Sequence, residues 1–137
     1  MSHEIKRADY FYTTVADVPG EAYKLLSLLA DLGITLQAFT AMPIGPDHTQ
    51  FTLFPADSQQ LLELGGRAGL SLEGPHPALL VQGDDVLGAL SEIHERLYAA
   101  DVNVYASTGV SSGLGTYGYI IYVRPEQFPA ATRALNV

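Results

Sequence analysis

The order of strand and helix patterns repeats halfway along this chain of 137 residues, and that repeat limits the possible folds more than any other feature of the sequence. A shift of about 68 positions superimposes seven pairs: Asp17 and Asp85, Gly20 and Gly88, Leu25 and Ile93, Leu29 and Leu97, Ile34 and Val102, Leu36 and Val104, and Thr40 and Thr108. Beyond the predicted hairpin the shift becomes about 70, which places Pro55 on Pro125. We therefore expect a second hairpin two residues longer than the first.

The first half of the chain has the order β-α-β-β-α-β. The predicted segments are a strand at 10–15, a helix at 22–32, strands at 34–42 and 50–54, a short helix from Ser58 and a strand at 70–73. Leucines at helical spacing define the first helix. We expect Asp17 to cap it, Pro19 to occupy its first turn and Gly33 to end it.

The second half restarts the pattern after Pro75-His76-Pro77, which predicts units at 8–75 and 76–137. Its predicted segments are a strand at 78–82, a helix at 86–97, strands at 102–108 and 119–123, a glycine-rich turn at 110–118 and a last helix from Pro125. Nothing in this half corresponds to the strand at 70–73. Either the second sheet has one strand fewer, or another segment fills that place.

Composition excludes several classes of function. The chain has a net charge of −8 and only seven Lys and Arg residues. These are too few to form the basic surface that attracts nucleic acids or anionic membranes. It has no cysteine, which excludes disulfides, zinc–thiolate sites and thiol nucleophiles and suits a cytoplasmic protein. No signal peptide and no membrane span is predicted.

The doubled order, the Asp-Val-Pro-Gly stretch at 17–20 and the Leu-Gly-Ile stretch at 32–34 together resemble the ACT domain family. The resemblance implies an α+β fold of two tandem ferredoxin-like units with antiparallel sheets, the second without its last strand. It also implies pairing of sheets into a homodimer and binding of an amino acid or similar small molecule. The chain would then be a stand-alone regulatory protein, acting on a partner enzyme and needing no cofactor.

A ligand site is predicted at the junction of the first strand and first helix, where unpaired N–H groups and the helix dipole favour a carboxylate. The candidate ligand-binding residues are Asp17, Val18, Pro19, Gly20, Glu21, Gln37, Asp85 and Asn103. Gln37 and Asn103 are predicted to lie on the second strand of each repeat, where they could donate an amide to a ligand held against a neighbouring loop. The alternative is that Asp17 only caps the helix and that the two amides are solvated.

Two glycine-rich motifs overlap in the turn at 110–118, and neither has the context that its chemistry needs. The stretch 109–113 matches G-x-S-x-G, but a strand rather than a helix is predicted to follow it, and no histidine lies beyond His94. The stretch 113–118 matches G-x-G-x-x-G without opening a helix. The four histidines show no metal spacing. We therefore predict no catalytic residue and no metal site, and leave open that this turn closes over a ligand.

Three classes of function are compatible with these features. The first is a regulatory module that binds an amino acid. The second is an interaction or dimerisation module without a ligand, which regulates an enzyme or a transcription factor. The third is a small enzyme, for which the sequence shows no set of nucleophile and base.

Overall fold

The computed structural model describes residues 3–137 and has an α+β fold with six strands and four α-helices among them. The strands are β1 (His3–Ala16), β2 (Leu36–Ile44), β3 (His48–Pro55), β4 (Glu73–Asp84), β5 (Val104–Ser111) and β6 (Thr116–Val123). The helices are α1 (Glu21–Asp31), α2 (Ser58–Gln60), α3 (Ala89–Ala99) and α4 (Phe128–Leu135). A π-helical turn (Leu61–Gly65) extends α2, and a 3₁₀ turn (Pro125–Gln127) precedes α4.

The chain forms two compact units, one made of Asp9–His76 and the other of Pro77–Val137 together with the N-terminal segment that ends at Ala8. We call them the 9–76 unit and the 77–137 unit. Within the 9–76 unit the strand order is β2-β3-β1-β4, and β3 is antiparallel to both of its neighbours. This is the strand order of a ferredoxin-like βαββαβ unit.

Residues 3–8 supply the strand that the second repeat lacks. Within the 77–137 unit the order is β1-β4-β6-β5, so the first residues of β1 occupy the place of a fourth strand. Ile5 packs against the hydrophobic core of this unit, and Arg7 Nη2 donates a hydrogen bond to the backbone oxygen of Val137 at 3.1 Å. The sequence left open whether the second sheet has one strand fewer or another segment takes that place. In the structure another segment takes it.

Each unit has its own hydrophobic core between sheet and helices. The core of the 9–76 unit contains the buried residues Phe11, Leu25, Leu29, Ile34, Phe51, Leu53 and Leu61. The core of the 77–137 unit contains Leu79, Val81, Ala89, Ile93, Leu97, Val102, Tyr117, Tyr119, Ile121, Val123, Ala131 and Leu135. The leucines of α1 and the apolar residues of α3 reach these cores because they recur on one face of each helix.

The strand registers show that the two hairpins have the same length, so the prediction of a longer second hairpin is wrong. Phe11 pairs with Leu53 and Leu79 pairs with Ile121, and each residue of the second pair lies 68 positions after its counterpart. The shift therefore stays at 68 through β6. Pro55 corresponds to Val123 rather than to Pro125, because a chance match of prolines suggested an insertion that the sheet does not contain.

Both long helices begin differently from the prediction. The N-cap of α1 is Gly20, at φ 92°, and the N-cap of α3 is Gly88, at φ 82°, and neither cap uses a side chain. Asp17 does not cap α1, and Pro19 precedes the helix rather than occupying its first turn. Glycine is the residue that enters this left-handed conformation without strain, which explains why both repeats carry it here.

One further segment differs from the prediction. Residues 70–72 have no regular structure, although Leu70 and Leu72 pack against the core; the strand begins at Glu73. Pro75-His76-Pro77, the predicted seam between the repeats, lies inside β4, and the two units divide between His76 and Pro77. Among residues 3–137, no helix is long and apolar enough to cross a membrane.

Candidate ligand-binding clefts

An open cleft of about 800 Å³ lies at the N-terminal end of α3, against β5 and β6. Its walls are formed by the loop before α3, by the first turn of that helix and by the adjoining ends of the two strands. The lining residues are Asp85, Val86, Leu87, Gly88, Ala89, Leu90, Ser91, Gly109, Val110, Ser111, Tyr117, Gly118 and Tyr119. The cleft is large enough for an amino acid or another small metabolite.

The first turn of α3 offers unpaired donors to this cleft. The N–H of Ala89 bonds to the oxygen of Val86, and the N–H of Glu92 bonds to the oxygen of Gly88. Within the described chain, the N–H groups of Leu90 and Ser91 have no such acceptor. Together with the positive end of the helix dipole, they favour a carboxylate or another small anion.

Asp85 places a negative charge at the mouth of the same cleft. Its backbone N–H donates to the oxygen of Gly115 at 2.9 Å, and its Oδ2 accepts a hydrogen bond from the Ser111 hydroxyl at 3.2 Å. These bonds tie the loop before α3 to the β5–β6 hairpin. The cleft therefore presents an anion-binding helix end and a carboxylate, the two partners that a zwitterion needs.

Tyr119 forms the inner wall of the cleft and is held from two sides. Its hydroxyl and Nε2 of His94 are 2.7 Å apart, within hydrogen-bond distance. Its ring lies over Gly109, where an added Cβ would come within 2.9 Å of Cδ1. Gly109 is therefore a glycine because the tyrosine ring occupies the space that a side chain would need.

Tyr117 lies in the floor of the cleft and has only 8% of its surface exposed. Its hydroxyl is buried, and no hydrogen-bond partner for it is present within residues 3–137. Burial, with a smaller contribution from the negative charge of Asp85, raises the pKa of this hydroxyl above its usual value. The phenol is therefore neutral at physiological pH and can donate or accept a hydrogen bond.

The corresponding junction in the 9–76 unit has the equivalent backbone bond, but its surroundings differ. The N–H of Asp17 bonds to the oxygen of Asp47 at 2.9 Å, and Glu21 forms an ion pair of 3.0 Å with Lys24. A small cavity of about 180 Å³ lies beside α1, but its lining includes no residue of the 17–20 loop. Asp17, Val18, Pro19 and Gly20 are all exposed.

Gln37 and Asn103 lie far from the loops of their own repeats. Gln37 is exposed near the start of β2, whereas the 17–20 loop lies near the other end of that strand, roughly 23 Å away at 3.3 Å per residue. Asn103 precedes β5 instead of lying on it, and its N–H donates to Oε1 of Gln127 at 3.1 Å. Within one chain, neither amide can share a ligand with its own loop.

The other motifs have structural explanations. Gly109 to Ser111 belong to β5, and the turn spans residues 112–115 before β6 begins, so neither glycine motif opens a helix. In this turn the Ser112 hydroxyl accepts hydrogen bonds from the N–H of Leu114 and from the Thr116 hydroxyl. No group of three His, Asp or Glu side chains among the described residues is placed to hold a metal ion.

Sequence reasoning missed the cleft residues Leu90, Ser91, Tyr117 and Tyr119, and also His94 behind them. A signal was nevertheless present in the aligned repeats. With the shift of 68, His94 replaces Leu26, Gly109 replaces Ala41 and Tyr119 replaces Phe51. Three coordinated differences at one place would have marked the second repeat as the one with the more polar wall.

Comparison with known proteins supports the fold. No protein-family model matches the sequence, and a search of curated proteins gives no match. A protein of Bacteroides thetaiotaomicron is similar in structure with a TM-score of 0.79 and 15% identity, over 96% of this chain and 88% of that one. The regulatory subunit of aspartate kinase from Thermus thermophilus is similar with a TM-score of 0.63 and 18% identity, over 99% of this chain and 95% of that one. At these identities the similarity establishes the fold, which is that of two tandem ferredoxin-like units.

Proposed function

We propose that this chain is a cytoplasmic regulatory protein of the ACT type that binds a free amino acid in the cleft at the N-terminal end of α3. The observation that carries the proposal is that Leu90 and Ser91 present free N–H groups in the same cleft as the Asp85 carboxylate. The ligand carboxylate accepts from the two N–H groups, and its ammonium group donates to Asp85. The resemblance to ACT domains supports the same class of ligand.

The apolar side of the cleft suits the side chain of the ligand. Val86 and Val110 are 48% and 71% exposed, and they lie between the helix end and the edge strand β5. Tyr119 limits the depth of the cleft. An aliphatic amino acid of moderate size therefore fits better than glycine, which leaves the valines in water, or tryptophan, which meets the tyrosine ring.

Regulation requires the ligand to bind one state of the protein better than another. We propose that the two states are a free and an assembled form, because β5 and β2 are exposed edge strands that a second copy can cover. Gln37 or Asn103 of a second copy would then reach a ligand that the same residues cannot reach within their own chain. The predicted site at Asp17 to Glu21 remains part of this proposal as the weaker of two equivalent places.

The experiment is a thermal-shift screen against the proteinogenic amino acids, followed by calorimetry with any that raises the melting temperature. Asp85→Asn removes the charge but keeps the shape, and it should weaken binding by about tenfold or more, as for the loss of a charge-assisted hydrogen bond. Asp17→Asn is the matched control in the other repeat and should leave the affinity of the cleft at α3 unchanged. If Asp17→Asn weakens binding and Asp85→Asn does not, the site lies at the first repeat instead.

One observation favours a second function, an interaction module without a ligand. Leu87, Val110 and Leu114 are 104%, 71% and 89% exposed and surround the same edge of the 77–137 unit. If these side chains form one contiguous apolar patch, such a patch commonly marks a protein interface. If no amino acid raises the melting temperature while light scattering shows a stable dimer, this second function replaces the first.

A further inference from the structure

A groove of about 410 Å³ lies between α3 and the edge strand β5 in the 77–137 unit. It shares no lining residue with the cleft at the N-terminal end of α3, so the proposed amino-acid site does not account for it. The lining residues are His94, Leu97, Tyr98, Val102, Val104, Tyr105, Ala106 and Ser107. Its volume lies within the range of small-molecule sites, which is roughly 300–1,000 Å³.

The 9–76 unit has a phenylalanine ring at the place that corresponds to this groove. The shift of 68 positions superimposes Phe39 on Ser107. Both residues pair with a core residue of the neighbouring strand, Leu53 and Ile121 respectively, so both face the helices of their own unit. The Phe39 ring packs against the core of its unit, and its centroid lies 5.3 Å from that of the Phe51 ring. A serine side chain is too small to fill that space, which explains the groove in the second repeat.

The second repeat also has a polar group here where the first has an aliphatic one. His94 replaces Leu26, and its Nε2 lies 2.7 Å from the Tyr119 hydroxyl. Its other ring nitrogen, Nδ1, has no hydrogen-bond partner within residues 3–137 and is not buried. Because His94 lines the groove, this nitrogen is available to a bound molecule. Tyr98 replaces Ala30 one helical turn later and adds an exposed ring at the rim.

The lining indicates the chemistry of the ligand. No Lys, Arg, Asp or Glu lines the groove, so a charged molecule would lose hydration without gaining a partner. The proton of a neutral imidazole is on either ring nitrogen, so Nδ1 of His94 either donates or accepts a hydrogen bond. A hydroxyl group suits both cases, because it can do either. The comparison with Phe39 indicates a six-membered aromatic ring as the apolar part of the ligand.

We propose that this groove is a second ligand site, which takes a neutral molecule with one aromatic ring and a hydroxyl group, that is, a phenol. The ring occupies the space that Phe39 fills in the first repeat, and the hydroxyl forms a hydrogen bond with Nδ1 of His94. This site goes beyond the proposed amino-acid site, because its ligand lacks the carboxylate on which the cleft at α3 depends.

The test uses phenol as the probe and benzoate as a charged aromatic counterpart of similar size. Each is titrated at neutral pH, and NMR follows the backbone amide shifts and the contacts between ligand protons and methyl groups. Phenol should shift the amide of Ser107 in a saturable way and contact the methyl groups of Leu97 and Val104, and benzoate should not. The proposal is overturned if phenol gives no saturable shift, or if it contacts Val86 or Val110 instead, since these line the cleft at α3.

Ser107→Phe gives the second repeat the ring of the first and should abolish phenol binding. Thr108→Phe is the matched control, because Thr108 pairs with Ile120, outside the core, and the same ring then lies on the other face of β5. It should leave phenol binding unchanged. His94→Leu should weaken phenol binding about tenfold, the factor for one hydrogen bond.

Equal loss of phenol binding in Ser107→Phe and Thr108→Phe would contradict the proposed place of the ring. Unchanged binding in Ser107→Phe or in His94→Leu would overturn the proposal as well. If Ser107→Phe does not fold, His94→Leu and the NMR contacts of phenol with the natural protein decide the question.

Discussion

Substitution of Gly109 by alanine tests whether the Tyr119 ring closes the cleft wall, and Gly118 on the adjacent strand provides a matched control. An added Cβ at Gly109 would lie 2.9 Å from Cδ1 of Tyr119, whereas an added Cβ at Gly118 would meet nothing within 4 Å. Neither glycine has a positive φ. The two substitutions are thus chemically identical and differ only in the space that awaits the methyl group.

The expected magnitudes follow from that difference. Replacing a flexible glycine by alanine stabilises a protein by about 0.4–1 kcal/mol when the conformation and the space allow it, and this is the result expected for Gly118→Ala. At Gly109 the same gain is offset by overpacking of about 1–3 kcal/mol, because the ring cannot move without losing its hydrogen bond to His94. The two variants should therefore differ by about 2 kcal/mol, or roughly 6–8 °C in melting temperature.

Urea unfolding measures the two free energies, and a third variant identifies their cause. The first repeat has Leu26, Ala41 and Phe51 where the second has His94, Gly109 and Tyr119. The triple variant His94→Leu, Gly109→Ala, Tyr119→Phe gives the second repeat the three residues of the first repeat. There the phenylalanine ring has no hydroxyl to hold it in place. The triple variant should recover stability relative to Gly109→Ala alone. Equal stability of Gly109→Ala and Gly118→Ala would refute the role of the Tyr119 ring in this wall.

Three further predictions concern the helix caps, Tyr117 and assembly. Gly88→Ala should cost about 1–2 kcal/mol in urea unfolding because α3 begins at a left-handed residue, and Gly88→Asn should cost less; equal costs would contradict this. Because burial and Asp85 raise the pKa of Tyr117, the folded protein keeps a proton that the unfolded chain loses above a pH of about 10. The free energy of unfolding should therefore fall as the pH rises past that value, and the fall should be smaller in Tyr117→Phe. Urea unfolding at a series of pH values measures both. Light scattering should show a homodimer or a larger even-numbered assembly at micromolar concentration, and a monomer there would contradict the proposed pairing of edge strands.

The sequence predicted the α+β fold and its repeat because the hydrophobic periodicity of α1 and α3 is strong and their glycine boundaries are clear. The prediction from sequence failed where a local pattern is compatible with two backbone conformations. Asp17 has the chemistry of a helix cap, but the backbone turns at Gly20 instead, and no local rule distinguishes the two. The contribution of residues 3–8 to the second repeat could not be predicted either, since it depends on pairing between segments that are distant in sequence.

The sequence predicted the type of site, and the structure has its open cleft in the repeat that the sequence did not favour. A strand-to-helix junction with an acid and a glycine was identified in both halves, and the proline of the first half gave it preference. The open cleft lies instead at Asp85, because its size depends on Gly109 and on the orientation of Tyr119. Both are tertiary effects, since strand register brings Gly109 opposite Tyr119 and a hydrogen bond from α3 fixes the ring.

The position of residues 3–8 has a consequence for how the chain folds. The 9–76 unit uses one continuous segment, so it can form from contacts that are close in sequence. The 77–137 unit must recruit a strand from the start of the chain, and its hydrogen bond from Arg7 to Val137 spans 130 positions. Contacts of such separation close slowly, because the entropy of the loop is lost before they form. We expect the 9–76 unit to fold first, and a fragment that begins at Pro77 to expose an unpaired edge of β4 and aggregate.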